Sequence, residues 1–146
     1  MDCIFCDIAS GKADAQVIFE NENYKAFLDI NPVNYGHTLV VPKNHYDNFL
    51  TLPDDQLNGL IKITQFLAGA IKRSLNADGF NIISNNGASA GQTVFHSHFH
   101  IIPRFDKDFQ IKPQIKTYPE NSMNEFADRI RSFITKYEEL LNAKKD

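Results

Sequence analysis

The stretch His96-Ser97-His98-Phe99-His100-Ile101-Ile102-Pro103 holds three of the five histidines of the chain. The histidines alternate with other residues, and the bulky apolar side chains among and after them predict a strand over residues 96–103. Side chains of a strand alternate between its faces, so we expect the three imidazoles on one face, with neighbours about 6.6 Å apart. Such a row suits a metal site, or a catalytic row in which one imidazole is the nucleophile or base. A plain polar face of a half-buried strand is the third interpretation.

Shorter patterns elsewhere in the chain predict a mixed fold. Strands are predicted over residues 17–20, 24–28, 38–42 and 80–84, and helices over residues 51–75 and about 122–142. Thr51 is the expected N-cap of the first helix, and Ser122 with Glu125 forms a capping box for the second. Hairpin-length links join the strands without regular strand–helix alternation, which favours an α+β fold with a mainly antiparallel sheet.

Length and composition limit the classes of function. A chain of 146 residues fits a single domain, residues 1–146. Fifteen basic and eighteen acidic side chains give a formal charge of −3, which argues against a non-specific nucleic-acid binder. We expect no membrane partner and a cytoplasmic location, because the sequence shows neither a long apolar run nor a secretory signal. Two cysteines are too few for a disulfide framework.

The histidine stretch, taken with its surroundings, resembles the histidine-triad (HIT) family of nucleotide hydrolases and transferases. Residues 92–102 look like the family signature, and residues 32–42, with Gly36-His37 before an apolar strand and a proline, match its companion segment. Ser97 departs from the signature at a position that is usually hydrophobic, where we expect local repacking. The resemblance covers a core of about residues 3–105. It implies a five-stranded sheet with one long helix, a C-terminal extension with the second helix, and a homodimer with the long helix near its interface.

The resemblance also implies a mechanism. The middle histidine, His98, would attack the α-phosphate of an adenine nucleotide conjugate and form a covalent nucleotidyl-histidine. A backbone carbonyl of the segment around His37 would hold the other ring nitrogen, and His100 would donate to the phosphate or leaving group. Gln92 and Thr93 would donate to phosphate oxygens. The remaining residues implied around the nucleotide are Asn85 and Gly91 near the phosphate, Asp29 at the ribose hydroxyls, and Phe5, Ile8, Phe27 and Ile30 around a purine base.

Cys3 and Cys6 form a C-x-x-C pair. From spacing alone it is a redox pair, half of a zinc site, or chance. Microbial HIT proteins with this N-terminal motif add a histidine after the apolar strand and the first histidine of the triad, here His45 and His96. The resemblance therefore implies one closed, structural zinc site per chain.

Two other functions stay open at this point: a zinc metalloenzyme with His96, His98 and His100 as ligands, and a nucleotide-binding module without catalysis. Within the hydrolase interpretation, the candidate substrates are dinucleoside polyphosphates, such as diadenosine tetraphosphate, and adenosine phosphoramidates. Ile102-Pro103-Arg104, which follows the triad, is similar to microbial family members often described as diadenosine tetraphosphate hydrolases.

Overall fold

The computed structural model describes residues 2–108, 113–120 and 122–144. The chain divides into two compact units, residues 1–109 and 110–146. The predicted core of about residues 3–105 lies in the first unit, and the predicted C-terminal helix lies in the second.

The first unit is built on a five-stranded sheet in the order β1-β2-β3-β5-β4, with every neighbouring pair antiparallel. The prediction of an α+β fold with a five-stranded antiparallel sheet is therefore confirmed. Its strands are β1 (Val17–Glu20), β2 (Tyr24–Leu28), β3 (Thr38–Pro42), β4 (Gly79–Ile83) and β5 (Phe99–Arg104), its helices are α1 (Ile4–Ala9) and α2 (Asp54–Ser74), and short 3-10 turns span Phe49–Thr51 and Ala88–Ala90.

The two faces of the sheet are covered by different helices. Leu60, Leu67 and Ile71 of α2 pack with Val40 and Ile101 on one face. On the other face, α1 packs against a second apolar cluster, which consists of Cys3, Phe5, Ile8, Phe27, Leu39 and Val41. Because β3 is covered on both sides, all five of its residues are buried. This double burial explains why its sequence is a continuous apolar run and does not alternate.

The hairpin between β1 and β2 forms without the glycine that usually marks such a turn. The Asn21 side-chain oxygen accepts hydrogen bonds from the backbone N–H groups of Asn23 and Tyr24, at 3.0 and 2.8 Å. An asparagine side chain can replace a backbone turn in this way. The three strands β1, β2 and β3 have the predicted boundaries, and β4 begins one residue earlier than predicted.

The strand predicted over residues 96–103 begins at Phe99, three residues late. Its pairing with β3 ends at Val40 opposite Phe99. Beyond that point the backbone N–H of Ser97 donates to the Tyr46 carbonyl, and the His96 ring donates to the Pro42 carbonyl at 2.8 Å. Hydrogen bonds to the loop and from a side chain thus replace the backbone hydrogen bonds between β3 and β5. The first two histidines of the triad therefore lie before the strand.

The starts of the helices also differ from prediction. The helix expected from residue 51 begins at Asp54, and Pro53 precedes it. Thr51 instead forms a reciprocal capping box with Asn48 around the 3-10 turn. The six-residue α1 was not predicted, because it is too short to show a helical period.

The second unit contains α3, Ser122–Ala143, which agrees with the predicted helix of about 122–142. The Ser122 hydroxyl donates to the Pro119 carbonyl at 2.8 Å, and the capping box of Ser122 with Glu125 stays a prediction. No side chain of α3 is buried in the described residues. Across the described ranges, no helix combines the length and the apolar character needed to cross a membrane.

Candidate active site and metal centre

A cleft of about 330 Å³ opens on the α1 side of the sheet. We call it the α1 cleft. It lies between α1, the end of β2, and the loop that leads into β5. Most of the predicted nucleotide-binding residues line it, namely Phe5, Ile8, Phe27, Asp29, Ile30, Thr93, His98 and His100. Phe5 meets the His98 ring edge-on, with ring centroids 5.0 Å apart. The cleft therefore combines apolar walls with two imidazoles and two carboxylates, those of Asp14 and Asp29.

The tautomer of His98 is fixed by a backbone carbonyl. Its Nδ1 lies 2.7 Å from the carbonyl oxygen of His96. A carbonyl can only accept, so Nδ1 carries the proton and Nε2 keeps its lone pair. Burial lowers the pKa of His98 below the ordinary value of 6.5, although the hydrogen bond to His96 opposes this shift. The ring is therefore neutral at pH 7. The acceptor belongs to the triad itself, which corrects the expectation of a carbonyl from the segment around His37.

A second chain of hydrogen bonds fixes the tautomer of His100. The Val33 backbone N–H donates to His37 Nδ1 at 3.1 Å, so the neutral His37 ring carries its proton on Nε2. His37 Nε2 lies 2.9 Å from His100 Nδ1 and donates to it. The proton of His100 must then be on its own Nε2. Burial, together with the neighbouring His98 and His37, lowers the pKa of His100 to about 4.

The Nε2–H of His100 is buried and has no hydrogen-bond partner among the described residues. A buried donor without an acceptor is costly and uncommon in folded proteins. Because His100 lines the α1 cleft, a ligand with an anionic oxygen would supply the missing acceptor. The arrangement is therefore suited to bind a phosphate group beside His98.

Asp29 lies at the end of β2 and has two contacts. One carboxylate oxygen accepts from the Asn31 backbone N–H at 2.9 Å. The other lies 3.7 Å from His37 Nε2. The carboxylate also lines the α1 cleft, where its remaining lone pairs can accept from hydroxyl groups. Asp29 raises the pKa of His37, but burial outweighs it, so the pKa of His37 is lowered.

The structure brings neither Gln92 nor Asn85 to the lining of the α1 cleft. The Gln92 amide is buried and occupied: its oxygen accepts from Gly87 N–H at 2.8 Å, and its nitrogen donates to the carbonyls of Asp47 and Val94. Gly91 ends the adjacent 3-10 turn with φ +87°, a conformation that favours glycine. In this structure the Gln92 amide stabilises the loop that carries Thr93, and its expected contact with a phosphate stays a prediction.

The predicted metal ligands converge on one point. The ligand atoms of Cys3, Cys6, His45 and His96 all lie within 4.8 Å of one another, and we call this group the thiol–imidazole cluster. His96 Nδ1 is 3.5 Å from each sulfur, and His45 Nδ1 is 3.3 Å from Cys6 Sγ. In a tetrahedral zinc site with Zn–S of about 2.3 Å and Zn–N of about 2.0 Å, sulfur and nitrogen corners lie about 3.5 Å apart. The cluster is therefore compatible with zinc.

Two further contacts prepare both imidazoles for a metal. His96 Nε2 donates to the Pro42 carbonyl at 2.8 Å, and His45 Nε2 donates to the Asp47 carboxylate at 2.9 Å. Each ring thus keeps its Nδ1 lone pair for the cluster, which is the usual outer support of metal-bound histidine. Burial and the adjacent Cys3 raise the pKa of the Cys6 thiol to about 11. A divalent cation would reverse that shift.

Sequence reasoning missed these outer partners. Asp47 follows His45 by two residues in a loop, and nothing in its spacing marks it as a contact. The Pro42 and His96 carbonyls are backbone atoms, which no residue type reveals. The three imidazoles do lie on one side of the sheet, since Phe5 of α1 meets the rings of His96 and His98, and His98 meets His100. They are divided between two sites, because His96 lies in the thiol–imidazole cluster while His98 and His100 line the α1 cleft.

The family model of the HIT domain matches residues 10–107 of this sequence. The chain belongs to the HIT family. A HIT-like protein of Methanocaldococcus jannaschii, itself uncharacterized, is 52% identical over 109 residues, which are 75% of this chain and 84% of that protein. An Arabidopsis thaliana protein named adenylylsulfatase HINT3 is 37% identical over 107 residues, which are 73% of this chain and 54% of that protein.

Among solved structures, a zinc-bound histidine triad family protein from Mycobacterium smegmatis matches with a TM-score of 0.71 and 43% identity. The match covers 78% of this chain and 85% of that protein. The family membership and the fold are thus supported by independent comparisons, and the resemblance read from the histidine stretch is confirmed.

Proposed function

We propose that this HIT protein hydrolyses an adenine nucleotide conjugate at its α-phosphate through a covalent nucleotidyl-His98 intermediate. The observation that carries the proposal is the fixed tautomer of His98, whose Nδ1–H donates to the His96 carbonyl at 2.7 Å. Its Nε2 lone pair is then available in a cleft, and burial keeps the ring neutral by lowering its pKa. A neutral imidazole is a competent nucleophile.

The reaction takes two displacements. In the first, His98 Nε2 attacks the α-phosphorus, a P–N bond forms, and the bond to the leaving group breaks, so that the leaving group takes the electron pair and gains a proton. In the second, water attacks the phosphorus, the P–N bond breaks, and a nucleoside monophosphate, neutral His98 and a proton result. The unpartnered Nε2–H of His100 supports a donor role toward the phosphate or the leaving group in the first step.

The nucleoside half of the substrate is assigned to the apolar end of the α1 cleft. Phe5, Ile8, Phe27 and Ile30 offer an apolar surface for a purine ring, and the Asp29 carboxylate offers an acceptor for ribose hydroxyls. The name of the Arabidopsis relative, adenylylsulfatase, supports an adenylyl conjugate as the substrate class. Diadenosine tetraphosphate and adenosine phosphoramidate are the two substrates that we propose to compare.

A structural zinc ion in the thiol–imidazole cluster is the second part of the proposal. Cys3, Cys6, His45 and His96 would hold it with four protein ligands, which leaves no position for water or substrate. When bound there, the ion would link the N-terminal segment to the loop before β5. It would take no part in the chemistry of the reaction. The zinc-bound relative from Mycobacterium smegmatis supports this assignment.

The geometry favours the nucleophile over the three-histidine metalloenzyme. The His96 ring lies with two cysteines and His45, whereas His98 Nδ1 donates to a carbonyl and His100 Nδ1 accepts from His37. A single ion bound by His96, His98 and His100 would have to break these contacts. A binding module without catalysis remains an outcome of the experiment.

The experiment is intact-protein mass spectrometry after rapid quenching, with adenosine phosphoramidate and diadenosine tetraphosphate as separate substrates. We expect an adduct of one adenylyl group on the wild-type chain and none on His98→Ala. Titration calorimetry with adenosine monophosphate should show that His98→Ala still binds the nucleotide. Product formation without an adduct in either protein would refute the covalent route, and binding without product would favour the binding module.

We also propose that the HIT domain forms a homodimer. The edge strand β4 exposes 42% of Phe80 and of Ile82, next to a groove of about 390 Å³ between α2 and the sheet. A second copy on this surface would slow hydrogen exchange of the β4 amides. We expect Ile82→Lys to remove that protection, whereas Val17→Lys, at the similarly exposed opposite edge, should leave it unchanged. Fast exchange in the wild-type protein would refute this dimer.

A further inference from the structure

The large apolar residues of α3 form one stripe along the helix. Six of them follow one another at intervals of 3, 4, 3, 4 and 3 residues: Met123, Phe126, Ile130, Phe133, Tyr137 and Leu140. We call these six residues the seam. An average interval of 3.5 residues corresponds to positions a and d of three heptads, which is the pattern of a coiled coil.

The side chains of the seam are about half exposed. Its residues, with Ile134 and Leu141 beside them, are 44–61% exposed. Eight large side chains at that exposure present roughly 800 Å² of apolar surface, which equals one partner's share of a standard interface and exceeds the usual largest patch of a monomer. In proteins, most of the stability of a helix comes from packing of its apolar face against a partner. The surface therefore has the area and the need for a partner.

The charges on α3 argue against a membrane as the partner. The helix carries four acidic and three basic side chains, Glu125, Asp128, Glu138 and Glu139 against Arg129, Arg131 and Lys136. Helices that lie on anionic membranes have a polar face rich in lysine and arginine. The balance on α3 instead suits a helix partner in water.

Two of the cations define the orientation of that partner. Arg129 lies over the Phe126 ring at 6.0 Å, and Lys136 lies over the Phe133 ring at 5.8 Å, so both flank the seam. They occupy heptad position g. In an antiparallel pair of identical helices, g faces g, and these cations would repel one another. In a parallel pair, g faces e, and the aliphatic stems of Arg129 and Lys136 would cover Ile134 and Leu141 of the other copy.

We propose that α3 pairs in parallel and in register with α3 of a second copy of this chain, through the seam. This contact is separate from the sheet-edge dimer and does not depend on the hydrolase activity. Under this proposal, the second unit of the chain acts in self-association.

The test is disulfide trapping in the full chain, kept zinc-saturated to protect Cys3 and Cys6. In a parallel pair, Leu140 faces its own copy at position d, so Leu140→Cys should form a covalent dimer with oxidised glutathione as the oxidant. Asn142→Cys points outward at position f and is the matched control. We expect the covalent dimer for Leu140→Cys and none for the control or the wild-type chain. Equal cross-linking of the two variants, or none, would overturn the proposal.

Charge variants test whether the cross-link depends on the seam or on accidental proximity of two chains. In the Leu140→Cys background, Ile130→Glu with Phe133→Glu should abolish the cross-link. Asn124→Glu with Ser132→Glu adds the same charge on the outer face and should leave it intact. Circular dichroism verifies that the sheet unit stays folded in each variant. A cross-link that forms only between Leu140→Cys and Met123→Cys chains would overturn the parallel orientation, and a seam covered by another surface would leave Leu140→Cys monomeric on the gel.

Discussion

The neutral state of His100 predicts a specific acid sensitivity of folding. The pKa of this ring is about 4 in the folded chain, against an ordinary value of 6.5 once the chain unfolds, because the folded ring is buried beside His98 and His37. Between pH 6.5 and pH 4, His100 is therefore protonated in the unfolded chain and neutral in the folded chain. The free energy of unfolding rises with pH wherever the unfolded state binds more protons. The contribution of His100 is thus complete above pH 6.5 and is lost as the pH falls toward 4.

The magnitude follows from the width of that window. One pKa unit corresponds to about 1.4 kcal/mol, so a shift from 6.5 to about 4 makes the wild-type protein about 3 kcal/mol less stable at pH 4 than at pH 7 through His100 alone. In His100→Gln this term is absent, while the glutamine oxygen can still accept from His37 Nε2. We expect the variant to be less stable at pH 7 by about 1 kcal/mol, because glutamine loses the contact between the His100 and His98 rings. The difference should reverse in sign as the pH approaches 4.

The assay is urea unfolding of both proteins in steps between pH 4 and pH 8. Zinc release and the titration of other groups affect both chains, so the difference between the two curves isolates His100 to a first approximation. Thr93→Ala, in the same cleft, removes no titrating group and should run parallel to the wild type. If His100→Gln also runs parallel to the wild type, His100 is not held neutral by the fold and the reasoning is refuted.

Three further predictions test the other contacts. His37→Phe should lower kcat about 10- to 100-fold with little change in KM, because His100 loses the donor that fixes its tautomer. His37→Gln should recover part of the rate. Equal losses of rate for both variants in stopped-flow assays would contradict this role. Cys3→Ser should reduce zinc per chain, measured by mass spectrometry of metals, and should lower Tm; full zinc content would contradict the site. Asp29→Asn keeps an acceptor for the Asn31 turn but removes the charge, so calorimetry should show adenosine monophosphate binding about 10-fold weaker or more, and unchanged affinity would return Asp29 to a turn residue.

The sheet could be predicted from the sequence where local pattern and tertiary environment agree. In β2 and β3, mainly apolar runs between turn signals coincide with strands whose side chains are buried on both faces of the sheet. The start of β5 could not be predicted in this way. Its alternating pattern continues back to His96, but Ser97 and His96 find hydrogen-bond partners in Tyr46 and Pro42, which are distant in sequence.

The same limit applies to the site. Residue type and spacing select the histidines and cysteines, and the resemblance to the HIT family assigns most of them to one cleft or one cluster. Their tautomers depend on the partner of the second ring nitrogen, and for His96 and His98 that partner is a backbone carbonyl. The contacts of the Gln92 amide could not be predicted for a similar reason, because two of its partners are backbone carbonyls, those of Asp47 and Val94, and the third is the backbone N–H of Gly87.

His96 connects the two halves of the site through different parts of one residue. Its ring faces Cys3 and Cys6, whereas its carbonyl oxygen accepts the hydrogen bond from Nδ1–H that fixes the tautomer of His98. The carbonyl can hold His98 only if the backbone at residue 96 is itself held, since this segment lies outside the β5 ladder. The Pro42 contact of the ring and the thiol–imidazole cluster supply that restraint. Residues 96–98 therefore place one side chain in the thiol–imidazole cluster and another in the α1 cleft within a single short stretch.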